Sequence, residues 1–198
     1  MISSEAKIEA GALIGSDCSI WAFTHIRSGA SVGAGSTIGE NVYIGPGVQI
    51  GERCKIQNGV LLYEPAIIED GVFLGPGTIF TNDRIPRATN RDMSPKSSKD
   101  WTKQGVFVDQ GASIGAGSVC IAPVRVGKWA MVGAGSVVTR NVPDHALVVG
   151  IPAKRINWVD KNGIPLMKIG EYLVSEDGNE RYQELSPQSL RVVSDERA

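Results

Sequence analysis

The sequence predicts an all-β protein, a parallel β-helix made of six-residue repeats. Three observations predict it. An aliphatic residue recurs at every sixth position, a small or β-branched residue stands two positions before it, and the 198-residue chain contains 24 Gly and 10 Pro. A period of six fits neither an amphipathic helix nor an isolated strand, but it fits a short strand and a turn repeated around a coil.

The first run of repeats begins at Ala6 and continues without a slip to Asp83. Positions one and three of a strand face the same side, so the small and the aliphatic residue of each sextet point to the interior. We expect Gly and Asn after the aliphatic residue to supply the positive φ that the turn needs. The thirteen sextets read AKIEAG, ALIGSD, CSIWAF, THIRSG, ASVGAG, STIGEN, VYIGPG, VQIGER, CKIQNG, VLLYEP, AIIEDG, VFLGPG and TIFTND.

A second run of six sextets covers residues 106–141. Three sextets close one triangular coil, so the nineteen sextets predict about six coils stacked roughly 4.8 Å apart. The 22 residues between the runs, 84–105, are polar and basic. An insertion of this length in a compact array indicates a functional loop. We therefore divide the chain into a β-helix domain, 1–156, with the inserted loop 84–105, and a C-terminal extension, 157–198.

Composition limits the classes of function. The net charge of −1 offers no basic stripe for nucleic acid. No apolar run approaches the roughly 20 residues of a membrane span, and the N-terminus lacks the apolar core of a signal peptide, so we expect a cytoplasmic protein away from the membrane. Two histidines cannot supply a three-histidine zinc site, so we expect no metal. The cysteines occupy inward positions and are predicted core residues: Cys18, Cys54 and Cys120.

Stacking by 18 residues places side chains in columns. Thr81 and Asn82 lie one coil above Tyr63 and Glu64, and with Asp83 they form an exposed corner at the root of the inserted loop. This corner combines an acid, a phenol and an amide. An asparagine that only closes a tight turn would give the same spacing, and spacing alone does not choose between the two interpretations.

The chain has only two histidines, and they stand in different settings. His25 is at position two of its sextet, faces outward and lies beneath Tyr43, which makes it a candidate base. His145 belongs to the segment that leaves the repeats, and we interpret it as structural.

The end of the second run, VGAGSVVTRNVPDHALVVGIPAKRI (132–156), resembles the end of the β-helix in acetyl-CoA-dependent hexapeptide transferases. The resemblance implies a left-handed helix, a homotrimer with sites between subunits, and acetyl-CoA in a groove along the outer wall. Turn amides would hold its pantetheine arm, and basic residues would meet its phosphates. The positions implied are Ala116, Ala134, Gly135, Pro152, Lys154 and Arg155.

A second resemblance is to N-acetyltransferases that act on nucleotide-linked 3-amino sugars. The stretches SIWAFTHI (19–26), KIQNGV (55–60), IEDGVFLGP (68–76) and FTNDRIPRA (80–88) carry it. One branch of these enzymes acetylates UDP-2-acetamido-3-amino-2,3-dideoxy-glucuronate for O-antigen synthesis, and another acylates dTDP-3-amino-3,6-dideoxyhexoses. The segment RINWVDKNGIPL (155–166) resembles the W-x-x-x-x-G-x-x-L tail of the first branch, which we therefore favour.

The resemblance implies that a neutral sugar amine attacks the acetyl thioester. Asn82 would hold the amine, but an amide cannot take up a proton. The candidate bases are His25 and Glu64, unless the amine arrives neutral. An O-acyltransferase acting on a small acceptor is an alternative, weakened by the absence of any histidine between His25 and His145. A non-catalytic β-helix scaffold is another. The substrate-binding candidates are Tyr43, Lys55, Gln57, Asn58, Tyr63, Asp83, Arg84 and Arg87.

Overall fold

A computed structural model describes residues 1–195, so the last three residues of the predicted C-terminal extension lie outside the described part. These 195 residues contain strands and turns but no helix, and hence no helix that could span a membrane. The strands are β1 (Lys7–Ile8), β2 (Leu13–Ile14), β3 (Ser19–Ile20), β4 (His25–Ile26), β5 (Ser31–Val32), β6 (Thr37–Ile38), β7 (Tyr43–Ile44), β8 (Gln49–Ile50), β9 (Lys55–Ile56), β10 (Leu61–Leu62), β11 (Ile67–Ile68), β12 (Phe73–Leu74), β13 (Ile79–Phe80), β14 (Val106–Val108), β15 (Ser113–Ile114), β16 (Val119–Cys120), β17 (Val124–Val126), β18 (Met131–Val132), β19 (Val137–Val138), β20 (Ala146–Val149), β21 (Lys154–Trp158), β22 (Met167–Ile169), β23 (Tyr172–Val174), β24 (Glu180–Ser186) and β25 (Ser189–Asp195).

The first twenty strands form three parallel sheets, the sides of a triangular coil. The first sheet contains every third strand from β1 to β19, the second sheet those from β2 to β17, and the third sheet those from β3 to β18, followed by β20. Leu62 pairs with Phe80, which lies one coil above it. Phe80 pairs in turn with Cys120, on the far side of the inserted loop. The loop therefore leaves and re-enters the coil without breaking the stack. This is the parallel β-helix that the period of six predicts.

The interior is filled by the residues that the repeat assigns to it. Ile44, Leu62 and Phe80 are 0% exposed, and all three cysteines are buried in the same core. Burial raises the pKa of the Cys120 thiol to about 12, so this side chain is a neutral core residue.

The glycines that follow the aliphatic residues have a different role from the one expected. Positive φ falls at position six of the sextet, as at Asn41 and Gly47, and not at position four. At position four a side chain would meet the next coil. A Cβ at Gly75 would lie 2.5 Å from the backbone nitrogen of Ala116, and one at Gly45 would lie 2.9 Å from Oε2 of Glu64. The expectation was wrong because close approach between coils, and not turn geometry, selects glycine here.

The C-terminal part closes the upper end of the coil. Strand β21 turns back antiparallel to β20 and crosses the domain boundary predicted at residue 156, and β22 to β25 form an antiparallel sheet. His145 is buried, with Nδ1 3.0 Å from the carbonyl oxygen of Val159 and its ring 5.0 Å from that of Tyr182. Burial lowers its pKa, so a neutral His145 packs between the coil and the extension. This environment supports the structural interpretation.

Candidate active site

Asn82 lies at the corner between the first and second sheets, where the chain leaves β13 for the inserted loop. Its backbone carbonyl accepts a hydrogen bond from the N–H of Gln104 at 3.1 Å, which joins the two ends of the loop. Its neighbour Thr81 accepts a hydrogen bond through Oγ1 from the N–H of Ala122 at 3.0 Å, in the coil above. The side chain of Asn82 is half-buried and makes no hydrogen bond within residues 1–195. The corner thus holds a fixed backbone and an unpaired amide.

Other corners show why this amide is unpaired. Oδ1 of Asn58, at the same sextet position, accepts a hydrogen bond from the N–H of Glu40 at 3.0 Å and closes the corner below it. That oxygen occupies the space above Gly39 that a Cβ would fill. Beneath Asn82 the corresponding residue is Tyr63, whose Cβ blocks this arrangement. The turn-closing interpretation that the sequence left open is therefore disfavoured. The same closure recurs with Asp70 above Gly51 and Asp144 above Gly127.

Glu64 stands directly below Asn82 in the same column. Its Oε1 lies 2.9 Å from Nζ of Lys103, at the end of the inserted loop, and its side chain is 20% exposed. Its Oε2 occupies the space above Gly45 that a side chain would fill. The loop thus returns to the coil through an ion pair with a candidate base. Sequence reasoning missed Lys103, because no period relates the loop to the coil.

An aromatic ladder continues down the outer face of the first sheet. The rings of Tyr63 and Tyr43 are 5.3 Å apart, and those of Tyr43 and His25 are 6.0 Å apart, edge to face. Nη1 of Arg27 donates to the hydroxyl of Tyr43 at 3.1 Å. The ladder brings the predicted residues Tyr43, Tyr63 and His25 together on one face.

Glu9 anchors the lower end of this ladder. Its Oε1 lies 2.8 Å from Nε2 of His25 and 2.8 Å from Nε of Arg27. The N–H of Ser28, which donates to its other oxygen at 2.9 Å, and then His25 lower the pKa of Glu9 to about 2. Sequence reasoning did not single out Glu9 or Arg27, although both occupy position four of the sextets that hold β1 and β4.

The structure does not bring His25 to Asn82. His25 lies in β4 and Asn82 follows β13, three coils above it, a separation of about 14 Å at the usual strand spacing. Three of the substrate-binding candidates also lie away from Asn82. Lys55 is on the third sheet, and Gln57 and Asn58 are at the corner between the third and first sheets. One chain therefore presents the substrate candidates on two of its edges.

The remaining substrate candidates belong to the loop. Oδ1 of Asp83 accepts a hydrogen bond from the N–H of Ile85 at 2.8 Å and shapes the first turn of the loop. Arg84 is exposed beside a cleft inside the loop. Arg87 is exposed as well, and its guanidinium contacts the carbonyl of Pro86. Asp83 and Arg84 thus directly follow the Asn82 corner along the chain, and Arg87 lies three residues further into the loop.

The predicted coenzyme positions share the edge between the third and first sheets. Ala116 and Ala134 stack one above the other and are exposed, and the N–H of Gly135 donates to the carbonyl of Ala116 at 2.8 Å. The N–H of Gly135 is thus used in coil stacking. Pro152 is exposed at the top of the same edge, and Lys154 follows it.

Lys154 and Arg155 differ in their surroundings. Lys154 is exposed at a cleft of about 640 Å³ over the upper end of the coil, which Arg140 and Arg155 also line. The guanidinium of Arg155 lies 4.2 Å over the ring of Trp158, 3.1 Å from Oε1 of Glu184, and donates through Nε to the carbonyl of Pro187 at 3.2 Å. Arg155 therefore holds the C-terminal sheet onto the coil. In the described part of the chain, no three His, Cys, Asp or Glu side chains gather as metal ligands.

Comparison with known proteins identifies the repeats. A family model described as bacterial transferase hexapeptide (six repeats) matches residues 11–46 and 29–64. A model described as hexapeptide repeat of succinyl-transferase matches residues 105–140. With the three stacked sheets, these matches confirm the predicted left-handed parallel β-helix.

Individual relatives share parts of the chain. A stretch of 53 residues is 57% identical to dTDP-3-amino-3,6-dideoxy-alpha-D-galactopyranose 3-N-acetyltransferase from Aneurinibacillus thermoaerophilus. This stretch makes up 27% of this chain and only 28% of that enzyme. A Bacillus cereus protein assigned to the acetyltransferases has a similar structure, at 25% identity and a TM-score of 0.55 over 78% of each chain. A mutant of AntD, a Bacillus cereus N-acyltransferase solved with dTDP and coenzyme A, shares the fold at 21% identity and a TM-score of 0.52 over 81% of each chain.

Proposed function

We propose that this chain, whose repeats match hexapeptide-transferase models over residues 11–64 and 105–140, is an acetyl-CoA-dependent N-acetyltransferase acting on the 3-amino group of a nucleotide-linked sugar. The observation that carries this proposal is the unpaired amide of Asn82, held at a corner where comparable side chains close a turn. The 53-residue stretch shared with a dTDP-amino-sugar N-acetyltransferase supports it.

The reaction needs an amine whose lone pair faces the thioester carbon. Oδ1 of Asn82 accepts an N–H from the neutral sugar amine and so orients the lone pair. The amine nitrogen forms the new C–N bond, the carbonyl oxygen takes up negative charge, and collapse of this intermediate breaks the C–S bond and releases the coenzyme thiolate. The surplus proton of the nitrogen passes to the thiolate or to a base.

Glu64 is the base best placed for that proton. It stands one coil below Asn82, about 4.8 Å along the stack, whereas His25 stands three coils below. Its Oε1 lies 2.9 Å from Nζ of Lys103, which fixes the position of the carboxylate in the corner. An amine that arrives neutral and gives its proton to the thiolate needs neither residue.

Two sugars fit the proposal. UDP-2-acetamido-3-amino-2,3-dideoxy-glucuronate, a precursor for O-antigen, is favoured by the tail motif around Trp158. Yet Trp158 and Leu166 are 1% and 4% exposed, so these motif residues serve packing of the extension and say little about the sugar. A dTDP-3-amino-3,6-dideoxyhexose is favoured by the relative that acts on such a sugar. The two candidates therefore stand about equal.

The site is proposed to form between subunits of a homotrimer. The substrate corner at Asn82 and the coenzyme edge at Ala116 lie on different edges of one chain, so neighbouring copies are needed to bring them together. Trp21 and Phe23 expose 50% and 62% of their surface at the coenzyme edge, where a second copy would cover them.

The test is an acetyl-transfer assay with the full chain. Acetyl-CoA is offered with UDP- and dTDP-linked 3-amino sugars, and released CoA thiol is measured. We expect release with one of the two nucleotides, and a product carrying the acetyl group on the 3-amino nitrogen. A scaffold protein would release no thiol and gain no thermal stability from acetyl-CoA. An O-acyltransferase would leave the 3-amino group unmodified.

A further inference from the structure

The inserted loop carries a concentrated positive charge. Residues 84–105 contain six Lys or Arg and two Asp, a net charge of +4. The whole chain has a net charge of −1, so the other 176 residues carry −5. A positive segment on a negative protein, adjoining the Asn82 corner, attracts an anion to that corner.

The loop also encloses a cleft of about 650 Å³. This volume lies within the range of small-molecule sites, which is about 300–1,000 Å³. The cleft walls include Arg84, Lys96, Trp101 and Gln104. An aromatic face beside two cations suits a ligand that combines a planar ring with phosphate groups.

The two carboxylates of the cleft are engaged in the turns of the loop. Asp83 accepts a hydrogen bond from the N–H of Ile85 at 2.8 Å. Asp100 accepts hydrogen bonds from the N–H and from the hydroxyl of Ser97, both at 2.7 Å. The bonds from Ser97 lower the pKa of Asp100 and hold it ionised. Arg84 and Lys96 form no salt bridge within residues 1–195, and the charge of Lys96 also acts on the Asp100 carboxyl.

Gln104 connects this cleft to the proposed catalytic corner. Its N–H donates to the carbonyl of Asn82 at 3.1 Å, while its own Oε1 is shielded from solvent and has no hydrogen-bond partner in the described part of the chain. A shielded acceptor without a donor is unfavourable. The terminal torsion of glutamine is broad, so the amide can turn this oxygen toward a donor offered in the cleft.

We propose that the loop cleft binds the nucleoside diphosphate of the sugar substrate. The base stacks on Trp101 and offers an N–H to Oε1 of Gln104, and the diphosphate meets Arg84 and Lys96. The identity of the substrate rests on the proposed function. Uracil and thymine both present an N3–H between two carbonyls, so either base fits this edge. The ADP portion of coenzyme A has related chemistry, but the predicted coenzyme residues lie on another edge of the coil.

The experiment measures nucleotide binding apart from catalysis. The full chain is titrated with UDP, dTDP and adenosine 3′,5′-bisphosphate, by calorimetry and by tryptophan fluorescence. We expect UDP or dTDP to bind and to change a fluorescence signal that is lost in Trp101→Phe. Arg84→Gln should weaken binding about tenfold, because it removes a charge-assisted contact to phosphate. The matched control is Arg91→Gln, an exposed loop arginine that does not line the cleft, and it should bind as the wild type does.

A chemical control tests the role of Gln104. The 5′-diphosphate of 3-methyluridine lacks the N3–H, and we expect it to bind about tenfold more weakly than UDP. In Gln104→Ala the two ligands should bind equally, because the partner of that N–H is gone. Equal affinities in the wild type would overturn the assignment of Gln104 as the base contact.

Other outcomes contradict the cleft as a whole. The proposal fails if no nucleotide binds, if Arg91→Gln weakens binding as much as Arg84→Gln, or if the bisphosphate alone gives the Trp101 signal. Acetyl transfer is measured separately. Nucleotide binding without transfer to a 3-amino sugar would reject the proposed function alone. Transfer with an unchanged KM for the nucleotide sugar in Trp101→Ala, which removes the stacking ring, would reject the cleft alone.

Discussion

Tyr63 keeps the amide of Asn82 from closing its corner, and replacing it with glycine should let the corner close. In Tyr63→Gly, Oδ1 of Asn82 can accept a hydrogen bond from the N–H of Glu64. The geometry would be that of the bond from the N–H of Glu40 to Oδ1 of Asn58, which lies above Gly39. Tyr63→Ala keeps a Cβ and therefore the block. Both variants lose the ring contact with Tyr43, so the comparison isolates one methyl group.

The size of the effect follows from one hydrogen bond. A corner bond of this kind contributes about 1 kcal/mol, which corresponds to about a fivefold excess of the closed, non-productive amide. We expect kcat of Tyr63→Gly to be about two- to tenfold below that of Tyr63→Ala, measured as CoA thiol release at saturating substrates. Equal kcat values, or a higher value for the glycine variant, would refute the account of why Asn82 is unpaired.

Three further predictions concern the lower coils and the stacking of the helix. His25→Ala should retain turnover within about threefold, because three coils of roughly 4.8 Å separate it from Asn82; a hundredfold loss of kcat would identify it as the base after all. Glu9→Gln should lower Tm at neutral pH. The pKa of Glu9 is depressed from 4.5 to about 2, so its contribution is complete above pH 4.5 and is lost as pH falls toward 2. A Tm difference that stays constant across that window would contradict the pKa. Gly75→Ala should destabilise the protein by about 1–3 kcal/mol in denaturant unfolding, because its Cβ would meet the next coil; an unchanged midpoint would show that the coils can separate.

The repeat made the coil predictable because every sextet meets the same packing requirement. A small residue and an aliphatic residue at fixed positions define the interior, and counting by 18 then places Glu64 below Asn82. The same count separates His25 from Asn82 by three coils, so that distance was available in the sequence. The role of glycine could not be predicted from the sequence. A period shows where glycine recurs, but it does not show whether a positive φ or a close contact between coils selects it.

The contacts outside the repeat were beyond prediction for a different reason. The pairing of Lys103 with Glu64 depends on how the inserted loop folds back, and the packing of Arg155 against Trp158 and Glu184 depends on the C-terminal sheet. Neither segment has a period, so nothing in the sequence fixes which side chains meet. The resemblance implies a role for Arg155 at the coenzyme phosphates, which stays a prediction, but it gave no sign of the contacts with Trp158 and Glu184.

The role of the Asn82 amide is tested most directly by kcat of Asn82→Ala with acetyl-CoA and the nucleotide 3-amino sugar that the wild type accepts. We predict a loss of about a hundredfold or more, since the amine is no longer oriented toward the thioester, with Tm and oligomeric state unchanged. The matched control is Asp70→Ala, which removes a side chain at the same sextet position that closes a different corner; it should lower Tm and keep kcat. Full turnover in Asn82→Ala would remove this amide from the mechanism and would contradict its role in orienting the sugar amine.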